Sequence, residues 1–167
     1  MMYFITSTIK DWIHLLAKSE FMDIVIQSLR FLVERKSIRL HGYVLMPNHI
    51  HTIYTVNDYD TLSNILRDFH KYTSQQIIKL LRNQNDNSLE LFRSSRSDRT
   101  YQIWQTTHSP KQIESFPFFR QKLEYIHFNP CTERWNLCEY PEDYLYSSAK
   151  DYLLNAFGIL PIEKIWQ

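Results

Sequence analysis

The chain has 167 residues, 44% hydrophobic and 22% charged, with a formal net charge of +1; this fits one domain able to bury its own core and excludes a wholly basic nucleic-acid coat. Its only glycines are Gly42 and Gly158, so neither a glycine-rich phosphate loop nor a dinucleotide-binding fingerprint can be built. No apolar run approaches the ~20 residues of a membrane span, and the start lacks a basic-then-apolar leader, which makes the cytoplasm the expected compartment.

Residues Tyr3 to Ile9, β-branched and aromatic, predict a first strand. From Ser19 as N-cap, Phe21, Val25, Leu29 and Leu32 recur at helical spacing to about Arg35. A second strand follows at Ile38 to Met46. Pro47-Asn48 breaks it, and His49 to Val56 predicts a third strand antiparallel to the second. Alternation puts His49, His51 and Ile53 on one face of that strand, and Ile50, Thr52 and Tyr54 on the other.

Leu62, Ile65, Leu66, Phe69, Ile77 and Leu80 describe a second helix from about Tyr59 to Arg82, whose opposite face carries Arg67, His70, Lys71 and Ser74. Asn83 to Thr100 is polar and without period, and reads as a long loop. Tyr101 to Gln105 predicts a short strand. Ser115 and Pro117 mark a helix start, Phe119, Leu123 and Ile126 its buried face, and Pro130 its stop at Asn129. Residues 131–167 read as packing over a core formed by about 3–130, with a short helix near Ser147 to Leu154. The order predicts one α+β domain over 1–167: a ferredoxin-like antiparallel sheet with helices on one face and a further helix near the C-terminal third.

Charge is uneven along the chain. Seven Lys/Arg stand against four Asp/Glu between Arg67 and Arg99, and three against six from Cys131 to Gln167, so a polyanion would meet the middle. Arg67 and Lys71 on the second helix and Arg93, Arg96 and Arg99 in the loop are the candidate phosphate contacts. Trp104 and Tyr101 offer stacking surfaces or core packing, and Met46 and Phe118 core packing alone. Cys131 and Cys138 match neither a zinc knuckle nor a redox motif and read as free thiols.

The chemistry concentrates at Met46-Pro47-Asn48-His49-Ile50-His51. Two residues apart on a strand, both imidazoles point the same way and can close on one metal ion. Tyr125 and Asn129, four apart, share a helical face, with Gln121 one turn back as a supporting residue. Two neutral imidazoles and an amide oxygen suit Mg²⁺ or Mn²⁺ and leave its charge for a phosphodiester. Tyr125 can then attack phosphorus. A hairpin-binding module with structural histidines, or a metal-dependent hydrolase that activates water, uses the same residues and stays open at this point.

GYVLMPNHIHTIY at 42–54, IWQ at 103–105, LEYIHFNP at 123–130 and YPEDYLYSSA at 140–149 together resemble the single-tyrosine HUH transposases, most of all the REP-associated tyrosine transposases. The opening YFITSTIKDW is similar too, so the likeness runs in order from about Tyr3 to Tyr152. It implies that His49 and His51 are the two histidines of the HUH motif, Tyr125 the nucleophile and Asn129 the third metal ligand. It also implies cleavage of single-stranded DNA beside imperfect hairpins, through a 5′-phosphotyrosine with a free 3′-hydroxyl. Related proteins act as monomers or as homodimers, and the sequence does not choose between them. After Pro130 the family commonly turns through a glycine, where this chain has Cys131-Thr132-Glu133-Arg134-Trp135.

Overall fold

The computed structural model describes residues 1–58, 60–106 and 110–165. Strand β1 spans Met2–Thr8, helix α1 Ser19–Glu34, β2 Ile38–Leu45 and β3 His49–Val56. Helix α2 spans Leu62–Asn83, β4 Lys111–Gln112, α3 Phe116–Phe128 and α4 Ala149–Leu153. The strands form one antiparallel sheet in the order β2-β3-β1-β4. It is an α+β fold with an open sheet.

Each helix boundary has a local cause. Thr61 caps α2 by accepting from the Asn64 amide at 3.2 Å, and Ser115 caps α3 by accepting from the Phe118 amide, as its sequence predicts. The predicted cap Ser19 is instead the first residue of α1, behind Lys18, whose ammonium reaches Asp86 at 3.1 Å. Tyr59, where the sequence starts the second helix, lies outside the described residues. Along α2 the buried side chains Ile65, Phe69, Thr73, Ile77 and Leu81 recur every four residues, one stripe of a helix lying on a sheet.

Strand alternation divides the core in two. Ile5, Leu40, Ile50 and Tyr54 face α1 and α2 and share a cluster with Phe21, Val25, Phe69 and Ile77. Phe4, Val44 and Ile53 point the other way and meet Phe119, Leu123 and Ile126 of α3. A register shift between Leu40 and Gly42 puts a bulge in β2, next to which α3 comes closest. A Cβ on Gly42 would lie 2.6 Å from Leu123 Cδ1 and 3.3 Å from Ile126 Cδ1. Gly42 is thus needed for close approach and not for a positive φ.

Two sequence expectations need correction. Tyr101 to Gln105 forms no strand, only single bridges from Ile9 to Trp104 and from Arg93 to Tyr101. The pairing lies past the end of β1, and the chain then returns at Lys111–Gln112 to flank Tyr3 and Phe4. The polar stretch after Asn83 contains a 3-10 turn, Asn87–Phe92, because Leu89 and Phe92, three residues apart, both bury.

Residues between Tyr144 and Tyr152 cover the open edge of β2. The Leu45 amide donates to Tyr146 O at 2.8 Å, Ser148 N donates to Tyr43 O at 3.0 Å, and the Tyr144 and Tyr152 hydroxyls donate to Leu45 O and His41 O. An edge with its backbone groups satisfied offers no template for pairing with another chain. No described helix is long and apolar enough to cross a membrane.

Gly42→Val is expected to lower the unfolding free energy by about 1–3 kcal/mol through overpacking against α3, read as a lower urea midpoint. Leu123→Ala in the same chain should recover part of that loss, and strict additivity of the two changes in a double-mutant cycle would show that they do not meet.

Candidate metal and nucleotide site

His49 and His51 lie on the face of β3 that α3 covers, with ring centroids 4.8 Å apart. Both side chains are buried, at 6% and 5% exposure. Register pairs Thr8 with His49 and Thr6 with His51, so the neighbouring strand supplies a partner on the same face. Thr6 Oγ1 sits 2.7 Å from His51 Nδ1, and Asn48 Oδ1 sits 2.8 Å from His49 Nδ1. Each ring therefore has its Nδ1 occupied, as metal-binding imidazoles commonly do.

The Nε2 atoms are what remain. His51 Nε2 is buried without a hydrogen-bond partner among the described residues, a costly state for a polar atom unless a ligand completes it. His49 Nε2 lies 3.5 Å from Asn129 Nδ2, and a half-turn of the amide about its last torsion puts Oδ1 in the same place. Among the described residues no three His, Cys, Asp or Glu side chains gather to hold a metal. The donor set is two imidazoles and one amide, neutral and mixed in nitrogen and oxygen, which fits a divalent ion with positions open to phosphate oxygens.

Burial sets the charge of the pair. Desolvation pushes His51 down to about 3, with the nearby His49 and Lys122 adding to it, and lowers His49 to about 4, with Arg134 adding to it. Both rings are neutral near pH 7, the state that a metal needs.

Tyr125 and Asn129 arrive from α3 and its end. Pro130 lacks the amide hydrogen that would continue the helix, so α3 stops at Phe128 and a 3-10 turn, Asn129–Cys131, follows. Asn129 is buried at 8% exposure, whereas Tyr125 is 52% exposed. The Tyr125 ring stands edge-on to His51 at 5.4 Å and to Phe4 at 6.2 Å, while Phe4 stacks on His51. Gln121 is exposed one turn earlier.

The predicted phosphate contacts fall elsewhere. Arg67, Lys71, Arg96 and Arg99 line one cleft of about 750 Å³ between α2 and the following loop, with Ser74, Gln102 and the buried Trp104. Trp104 is core, its Nε1–H donating to Thr73 Oγ1 at 2.9 Å. Arg93 lies outside the cleft lining, paired with Glu90 at 2.7 Å and against the Tyr101 ring. Within the cleft Asp98 accepts from both Arg96 and Arg99, and Arg67 pairs with Asp68. The cleft meets β1 on the far face from the histidines, since Ser7 turns toward His70 while Thr6 turns toward His51.

Sequence reasoning missed the residues around the histidines. Lys122 places Nζ over the Phe4, Phe118 and Tyr125 rings at 5.2, 5.3 and 5.9 Å. Its position three residues before Tyr125 was the available signal. Thr6 follows from strand register alone. Trp12 and Trp135, whose rings lie 6.2 and 5.6 Å from His49, carried no signal in one dimension.

No family profile and no curated protein matches the chain. Among solved structures it is similar to a REP-associated tyrosine transposase bound to a REP hairpin, with a TM-score of 0.67, 16% identity, and coverage of 99% of this chain and 87% of that one. It is also similar to a candidate transposase from Deinococcus radiodurans R1, with a TM-score of 0.50, 13% identity, and coverage of 75% and 88%. At such identities the likeness is one of fold.

An imidazole whose folded pKa lies below its unfolded value of about 6.5 lets the unfolded chain bind more protons, so stability rises with pH. His41, His49, His51 and His127 are all lowered mainly by burial, His127 to about 4. Stability is expected to be full above about pH 6.5 and to fall progressively toward pH 4 and 3, seen as a declining urea midpoint. A midpoint flat from pH 7 to pH 4 would contradict the neutral, buried pair.

Proposed function

We propose that this protein is a metal-dependent DNA strand-transferase of the tyrosine HUH type on a ferredoxin-like scaffold, cutting single-stranded DNA beside a hairpin through a 5′-phosphotyrosine. The observation that carries the reading is the partnerless Nε2 of His51, buried beside the His49–Asn129 pair and under the edge of the Tyr125 ring. The ordered motifs and the fold shared with a transposase bound to a REP hairpin support the same reading.

In this mechanism His49 Nε2, His51 Nε2 and the Asn129 amide oxygen would hold a divalent ion, Mg²⁺ or Mn²⁺. Such an ion would supply Lewis-acid stabilisation of the charge on the phosphate and on the leaving 3′ oxygen. Thr6 and Asn48 keep the two rings turned with Nε2 inward. The Tyr125 phenol loses its proton to water, and its oxygen forms a bond to phosphorus as the bond from phosphorus to the 3′ oxygen breaks. The 3′ oxygen leaves with its electron pair and takes up a proton from solvent. Because the phosphotyrosine conserves the ester, the free 3′-hydroxyl or another strand end can reverse the step. Lys122 places its ammonium 5.9 Å from the centre of the Tyr125 ring, and positive charge on that side of the site favours the charge that builds in the transition state.

Exposure suits Tyr125 to this role, since a nucleophile that carries a DNA end must reach solvent. The cleft lined by Arg67, Lys71, Arg96 and Arg99 serves the phosphates of the hairpin stem, with Arg93 at its margin. Exposed arginine–aspartate pairs are weak enough for phosphate to replace the carboxylate. Gln121 is a supporting residue one turn from the nucleophile.

Incubation of the purified protein with labelled single-stranded DNA from hairpin-bearing flanks of its own gene, with Mg²⁺ or Mn²⁺, is expected to give a labelled band at protein-plus-DNA mass on a denaturing gel. The band should vanish in Tyr125→Phe and with chelator. Free cut strands without the band would mean that water is the nucleophile, and binding without cleavage would mean a DNA-binding module.

Thr6→Val leaves His51 Nδ1 without its partner and is expected to raise the metal concentration needed for half-maximal cleavage by about 10- to 100-fold. An unchanged metal requirement would remove Thr6 from the site.

A further inference from the structure

Two tryptophans border the histidine pair, and both keep part of their surface in solvent although Trp135 also packs against the core beneath α3. Trp12 is 50% exposed and meets His49 edge-on at 6.2 Å. Trp135 is half-buried, 5.6 Å from His49 and 5.5 Å from His14. Both are anchored through the backbone. Asp11 and Trp12 adopt φ of 53° and 58°, the left-handed region that side chains other than glycine seldom enter. The Trp12 carbonyl accepts from Asn48 Nδ2 at 3.0 Å, and the same Asn48 holds His49 Nδ1 through its Oδ1.

The segment carrying Trp135 is a closed turn, in which Trp135 N and Asn136 N both donate to Thr132 O and Leu137 N donates to Pro130 O. Its base is closed by the Cys131 and Cys138 thiols at 3.3 Å. Strained backbone that holds an apolar ring half in water against a buried polar site points to a ligand. The local charge says which. Lys122 and Arg134 both act on the histidines, and among the described residues neither pairs with a carboxylate. Arg134 lies 5.5 Å over the Trp135 ring. The arginines of the α2 cleft, in contrast, are held by neighbouring carboxylates.

Planar aromatic surfaces interleaved with unpaired cations are what a single nucleic-acid strand requires: π-faces for its bases and positive charge for its backbone. We infer that Trp12 and Trp135 are stacking surfaces for unpaired nucleobases flanking the phosphate at His49, with Arg134 and Lys122 taking the adjoining backbone phosphates. This rests on the proposed nucleotide chemistry of the site and assigns positioning residues to it. It also gives the site a physical reason to take single strands, because bases inside a duplex have no free face to offer.

The test reads binding with no chemistry. Tryptophan emission of the full chain is titrated with an oligothymidylate in chelator, while polarisation of a labelled copy gives the affinity. The oligothymidylate is expected to quench emission, and the same strand annealed to oligoadenylate to quench far less. Trp12→Leu and Trp135→Leu should each weaken binding by about 5- to 100-fold, whereas Trp12→Phe and Trp135→Phe, which keep a ring, should stay within about threefold of the parent.

Leucine variants that bind as tightly as the parent overturn the inference. So does a parent whose emission ignores the oligothymidylate, and so do phenylalanine variants that lose as much as the leucine ones, because packing is then the cause. Failure of Tyr125 to form an adduct leaves the titration unaffected, so the two readings fail separately.

Discussion

The seating of α3 on the bulged part of β2 is the contact on which the site depends. Gly42 leaves room there for Leu123 and Ile126, and Phe4, Val44, Ile53 and Phe119 complete the apolar seal. The histidines belong to β3, whereas Tyr125 and Asn129 lie 76 and 78 residues further along, measured from His49 to Tyr125 and from His51 to Asn129. Only the packing of α3 brings them together. A side chain at position 42 would move the helix and with it the Asn129 amide, 3.5 Å from His49. Fold stability and site geometry are thus the same interface seen from its two ends.

Burial does a second job at that interface. It keeps both imidazoles neutral and leaves His51 Nε2 with no hydrogen-bond partner among the described residues. An apolar environment penalises an unpaired polar atom, so the site stores an unmet demand for a ligand. The cations nearby sharpen this. Lys122 and Arg134 disfavour protonation of the rings while offering positive charge to an anion. Neutral donors, an exposed phenol and two cations with no carboxylate partner among the described residues share one patch, and the proposed phosphodiester chemistry rests on that combination.

Readability of this chain from its sequence varied with the range of the interaction. The β1, α1, β2, β3, α2 and α3 segments followed from period and punctuation, because strand alternation, helix periodicity and the Ser115 and Pro130 boundaries act over a few residues. Tyr101 to Gln105 failed as a strand for the opposite reason. Its composition is strand-like, but which backbone it pairs with depends on where β1 ends and where the chain returns. Leu89 and Phe92 likewise sat in a polar stretch, and only the core beneath them made a turn of it.

By itself the sequence determined that His49 and His51 share a face, that Tyr125 and Asn129 share a helix side, and that no glycine-rich nucleotide loop exists, since each is local geometry or simple inventory. Tertiary structure alone decided that Thr6 turns the His51 ring and that Lys122 and Arg134, with no carboxylate partner among the described residues, stand beside the pair. It also decided that four of the basic residues first picked out form a separate cleft. Trp12 and Trp135, 123 residues apart, meet one histidine because an antiparallel sheet and the helix docked on it place them there. Contacts of that range depend on how whole elements pack, and spacing along the chain does not encode them.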